Sequence, residues 1–111
     1  MNKIYSVSWG YSMSLNNFYK VIKETPKGAI VRKIDSTILE NDGLAGGYET
    51  PNPNVELTER DWSDPEGIKV KYKDYKVIKT ETGYKGKVGL SRTYWLTETK
   101  VGDKHYFNHN D

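Results

Sequence analysis

Phe18-Tyr19-Lys20-Val21-Ile22-Lys23, Thr25-Pro26-Lys27-Gly28 and Ala29-Ile30-Val31-Arg32-Lys33-Ile34 form the stretch that decides the fold. Both flanks are dense in β-branched and aromatic side chains, which fit a pleated, half-buried surface. Between them, Pro26 fixes φ and Gly28 permits a positive φ, so the chain turns there. Two such runs so close together read as an antiparallel hairpin. Upstream, Ile4-Tyr5-Ser6-Val7-Ser8-Trp9 alternates strictly, with Tyr5, Val7 and Trp9 on one face. That is the period of a strand, and Gly10 ends it. The first third is therefore expected to be a three-stranded meander.

Downstream the pattern loosens. Residues 40–66 form an acidic region, and Glu40 to Asn54 within it is so rich in Gly, Pro and Asn that it reads as a long loop. Loops of that length inside a domain are usually functional. Trp62 sits among the turn-formers Asp61, Ser63, Asp64 and Pro65, and is expected to pin the loop to the core. Gly67-Ile68-Lys69-Val70-Lys71-Tyr72 alternates again, with Ile68, Val70 and Tyr72 assigned inward. Tyr75 to Lys79, Val88 to Leu90, Thr93 to Leu96 and His105 to Phe107 are further short strand candidates. No run of helical period reaches ten residues. The fold class expected is mainly β, in about seven short strands: a small antiparallel meander, bent sheet or partly open barrel. The chain of 111 residues has room for one core, so 1–111 is read as a single β domain.

That core is thin. Only 35% of residues are hydrophobic, but 14 are aromatic, and rings bury large areas each. A small ring-rich core of this kind is commonly supplemented by oligomerisation, so a homo-oligomer is expected. With no cysteine, neither disulfides nor thiolate metal sites can form. The sequence has neither a signal-like apolar run at its start nor a membrane-length one elsewhere, so no membrane partner and a cytoplasmic location are expected.

The search for chemistry favours a binding protein over an enzyme. Nucleophilic catalysis needs an activated nucleophile beside a positioned base. The only histidines, His105 and His109, lie close to the end of the sequence. With Asp103 and Asp111 they also form a possible metal cluster, but their spacing on a strand separates the rings. Asp61 and Asp64, with Glu59 and Glu66, suit a cation site or an ordinary turn, and the turn is the simpler reading. Gly83, Gly86 and Gly89 beside Lys85 and Lys87 suggest a phosphate cradle, although no P-loop or dinucleotide pattern follows. No cofactor, metal or catalytic residue is assigned.

Charge is the more informative feature. Net charge is +2, yet residues 40–66 sum to −7 and residues 69–92 to +6. Either the two stretches face each other or are simply solvated, or the basic one meets an anionic ligand. The basic stretch carries rings among its cations: Tyr72, Tyr75, Tyr84, Tyr94 and Trp95 run among Lys71, Lys73, Lys76, Lys85, Lys87 and Arg92. Rings stack on bases and cations meet phosphates. The competing reading makes the rings core and the lysines their solvated rim.

Ser8-Trp9-Gly10-Tyr11, Asn17-Phe18-Tyr19-Lys20-Val21 and Ala29 to Ile34 resemble a family of small proteins encoded by phages, plasmids and related mobile elements. Val88-Gly89-Leu90-Ser91, Tyr94, Trp95 and Tyr106-Phe107 are similar to that family's ending. The resemblance covers both ends and skips the middle. It implies a mobile-element accessory protein in the host cytoplasm, and such proteins often act against host defence. One expectation is that it sequesters a small nucleotide-type signalling ligand. Direct binding of a host defence nuclease or effector is the second, and a nucleic-acid-binding accessory domain the third. The candidate ligand-binding residues are Trp9, Tyr11, Tyr84, Lys85, Lys87, Arg92, Tyr94 and Trp95.

Overall fold

The hairpin at residues 18–34 is the centre of the fold. A computed structural model describes residues 3–10, 14–41 and 46–108, and Tyr11 and His109 lie outside them. Ten strands follow in order: β1 (Ile4–Trp9), β2 (Leu15–Thr25), β3 (Gly28–Asn41), β4 (Gly46–Glu56), β5 (Thr58–Arg60), β6 (Val70–Tyr72), β7 (Asp74–Lys79), β8 (Tyr84–Gly86), β9 (Tyr94–Thr99) and β10 (His105–Asn108). Among the described residues there is no helix, and so none long and apolar enough to cross a membrane.

Six strands close an antiparallel barrel in the order β3-β2-β1-β9-β8-β7, with β7 returning to β3. Closure runs from Gly28 opposite Ile78 to Arg32 opposite Asp74. It depends on Gly28, where a Cβ would run into the Val77 carbonyl. Alternation then fills the inside. Tyr5 and Val7 of β1, Tyr19 of β2, Ala29 and Val31 of β3, Val77, Tyr84 and Leu96 form one buried cluster with Val88. The other face of β1–β3 is buried too: Ile4, Phe18 and Ile34 form a second cluster. His105 of β10 sets its ring edge-on to Phe18 at 5.0 Å, and β10 bridges back to Ser14 before β2.

Residues 46–54, expected to be loop, are strand. β4 pairs with β3 on one edge, and its Gly46–Glu49 end pairs with β10 on the other. Pro51 holds a ladder position opposite Ser36, and Pro53 fits because the ladder is irregular just beyond it. Asn52 faces Asp35 and Glu56 faces Ile34, so Pro53, Asn54 and Val55 bulge out with no partner on β3.

The edge of β3 therefore changes partner at Lys33, with β7 before it and β4 after it. There the Lys33 N–H donates to the Lys73 carbonyl at 2.9 Å, while its own carbonyl accepts from Leu57 at 3.0 Å. The diverging extensions of β4 and β7 pair with each other as the β5–β6 hairpin, an arm off the barrel. Arg32 staples its root. Its guanidinium binds both Asp74 oxygens at 2.8 and 3.1 Å and Glu56 at 2.9 Å, and it stacks 3.8 Å from the Tyr72 ring centroid. Hydrogen bonds from Lys20 and Arg32 hold the Glu56 carboxyl below the usual carboxylate range. The acidic and basic stretches adjoin only along the arm, where Glu59 is opposite Lys71; Glu56 and Asp74 pair instead with Lys20 and Arg32, which belong to neither stretch.

Tyr19 is completely buried, and desolvation pushes its phenol up from 10.0 to about 12. A phenol held protonated in the folded state stabilises fully below the unfolded pKa and loses that contribution as pH rises towards the folded one. Stability should therefore fall between pH 10 and about 12, and less steeply in Tyr19→Phe. Denaturant midpoints across that range, followed with phenolate absorbance, test this; identical pH profiles for the two proteins would contradict it.

Candidate functional site

The barrel interior is filled, which places any ligand contact on its outside. One end is closed by a polar chain within the core. The Trp9 indole N–H donates to Asn17 Oδ1 at 3.0 Å, Asn17 Nδ2 donates to Tyr19 Oη at 3.1 Å, and the Tyr19 hydroxyl donates to the Val88 carbonyl at 2.8 Å. Val88, expected in a strand, instead sits in a turn at φ 43°, a strained conformation for a β-branched residue. Gly89 follows at φ 86°, and a Cβ there would come within 2.7 Å of Tyr75 Oη. The turn is thus held against the core, with the Leu90 N–H bonded to the Lys87 carbonyl at 2.7 Å.

This geometry sorts the candidate residues. Tyr84 is a core ring, 8% exposed and edge-on to Tyr5 at 5.3 Å, so its faces are closed to a ligand. Tyr94 packs against the same cluster, and Trp9 is half-buried with its N–H engaged. Lys87 and Arg92 are exposed on the connection between β8 and β9. Tyr11 is outside the described residues.

Lys85 and Trp95 do come together. The registers place Ile78 opposite Lys85 and Lys85 opposite Trp95, one cross-strand row on the outer face of β7, β8 and β9. Lys85 Nζ lies 5.3 Å from the Trp95 ring centroid, and Trp95 is 62% exposed. Beside the row is a shallow groove of ≈ 490 Å³ lined by Ile78, Lys79, Thr80, Glu81, Thr82, Lys85 and Trp95. An exposed indole edged by ammonium groups can stack a planar ring and pair an anion. Ile78 was not among the candidates, although Val77 inward in an alternating strand implies Ile78 outward.

The other constellations are structural. Asp61 accepts from the Ser63 N–H and hydroxyl at 3.0 and 2.6 Å, and these bonds lower its pKa. Asp64 accepts from the N–H groups of Glu66, Ile68 and Lys69, which lower its pKa likewise. Both carboxylates thus build a turn. His105 Nε2 lies 2.8 Å from Thr99 Oγ1, which donates to Asp103 at 3.1 Å. Ile68, Val70 and Tyr72, assigned inward from alternation, and Trp62, expected to pin the loop to the core, are all exposed on the β5–β6 arm.

Comparison with protein-family models, with curated proteins and with solved structures finds no match to this chain. The reading of the site therefore rests on its geometry. Tyr84→Ala should cost about 3–5 kcal/mol of stability, and Trp95→Ala less than about 0.5 kcal/mol. Urea unfolding separates them; a Trp95 variant as damaged as the Tyr84 one would make the outer row structural.

Proposed function

We propose that the protein is a non-catalytic binding protein that captures a small anionic, nucleotide-like ligand on the Ile78–Lys85–Trp95 face. The observation that carries this is the exposed Trp95 ring with the Lys85 ammonium over it, on three paired strands. A base stacking on the indole displaces that ammonium towards the ligand's phosphate, exchanging a cation–π contact for an ion pair. Lys79 lies in the same groove, and Lys87 is on the adjoining connection. Glu81 is the one acid among the residues lining the groove, and no histidine or second carboxylate lines it with Glu81. Capture without turnover fits sequestration of a signalling nucleotide. A counter-defence role for it rests on the resemblance to mobile-element accessory proteins.

Calorimetric titration with cyclic dinucleotides, trinucleotides, ADP-ribose and a short single-stranded oligonucleotide tests the proposal. Binding of a small nucleotide is expected. Trp95→Ala should weaken it about 5- to 100-fold, the worth of one stacked base. Lys85→Ala, Lys87→Ala and Arg92→Ala should weaken it with little change in melting temperature. Binding of the oligonucleotide alone, with steep salt dependence, would support the nucleic-acid reading instead. No heat with any of these ligands at tens of micromolar would overturn the proposal.

A further inference from the structure

The row that ends on Trp95 runs further round the barrel than Ile78. Thr25 is opposite Gly28, Gly28 opposite Ile78, Ile78 opposite Lys85 and Lys85 opposite Trp95, one line across β2, β3, β7, β8 and β9. Closure of β3 on β7 requires a residue without a side chain at Gly28, because a Cβ there would run into the Val77 carbonyl. The row therefore has a gap. A second groove of ≈ 580 Å³ lies at it, walled by Thr25, Pro26, Lys27, Lys76 and Ile78. Pro26, Ile78 and the aliphatic stems of the two lysines make that hollow mainly apolar. Ile78 is 60% exposed and also lines the groove beside Trp95, so the two grooves meet at its side chain.

Charge around the two grooves is positive when every neighbour is counted. Lys27, Lys76, Lys79 and Lys85 line them, and Glu81 is the one acid that does. Among the described residues none of these four lysines makes an ion pair. Of the acids nearby, Asp74 has both oxygens on Arg32. Glu24 and Glu98 are in register with Ala29 and Tyr5, whose side chains belong to the core. With neighbouring strands about 4.8 Å apart, Ile78 is about 10 Å and Gly28 about 14 Å from Trp95 along the row. One nucleoside on Trp95 cannot reach the hollow, whereas two joined through phosphate can. We propose that the ligand of this face is a dinucleotide. One base stacks on Trp95, the second seats between Pro26 and Ile78, and the linking phosphate lies between them against Lys85 and Lys76. This deepens, and rests on, the capture of an anionic nucleotide by the Lys85–Trp95 face.

Calorimetric titration of the full chain with the dinucleotide pApA and the single-base bisphosphate pAp tests it. The two probes carry the same number of phosphates, and pAp carries the more charge, so tighter binding of pApA reports the second nucleoside. It should bind about 5- to 100-fold more tightly than pAp, the worth of one seated base. Lys27→Ala and Lys76→Ala combined should remove most of that gain. Exposed charges are screened, so the same pair should leave pAp binding within about threefold and the melting temperature unchanged. Trp95→Ala should weaken both probes. Equal affinity for pApA and pAp would overturn the second seat while leaving capture on Trp95 standing. A preference for pApA that survives the Lys27 and Lys76 substitutions would overturn its placement between Pro26 and Ile78. Failure of both probes to bind at tens of micromolar would overturn the second seat together with the function it rests on.

Discussion

The hydrogen bonds of Lys33 in the middle of β3 are the constraint on which the rest of the architecture depends. One edge of this strand serves β7 before that residue and β4 after it. Two strands leaving a common edge in opposite directions cannot both continue along it. Their extensions either pair with each other or leave two open edges, and in exposed strands such as these each hydrogen bond made adds about 0.5–1.5 kcal/mol. The arm is thus a consequence of the branch. Arg32, one residue away, bonds to a carboxylate on each departing strand and lies against the Tyr72 ring. Such charge-assisted, two-pronged bonds fix an angle as well as supplying energy.

Closure on the other side of the branch has its own consequence. The six-stranded barrel is too narrow for a ligand once Tyr5, Tyr19 and Tyr84 point into it. Tyr19 fills the centre, and its hydroxyl accepts from Asn17 and donates to the Val88 carbonyl, which anchors a strained turn. Chemistry offered to a partner must therefore be on the outside. Exposed rings beside cations occur in the row on β7–β9 and at Tyr48 and Tyr106 with Lys104, and an exposed apolar face lies on the arm.

Much of the barrel was legible because alternation is a local property. The β2–β3 hairpin and the Tyr5-Val7-Trp9 face of β1 followed from residue type and period alone. β4 did not, since Gly46, Gly47, Pro51 and Pro53 are loop-formers by composition. Only the partner strands reveal that Gly46, Gly47 and Pro51 take ladder positions and that Pro53 lies in a bulge. The arm failed for a different reason. Alternation shows that Ile68, Val70 and Tyr72 share a face, but not whether anything lies against it. The same limit blurred the site. Tyr84 and Trp95 are both rings of the basic, aromatic segment from Lys69 to Trp95, yet one faces the barrel centre and the other solvent. Lys85 and Trp95 were in the candidate set; Ile78 was legible from alternation beside Val77, whereas Arg32 became visible only through register.

The central claim is that a branch at Lys33, stapled by Arg32, makes the arm a unit distinct from the barrel. Amide hydrogen exchange in Arg32→Ala, resolved by residue, tests it most directly. Exchange should be faster across β5 and β6, with protection at Tyr19, Val31 and Val77 in the barrel close to that of the unaltered protein. Uniform loss of protection through barrel and arm together would contradict it, as would an arm whose exchange does not change.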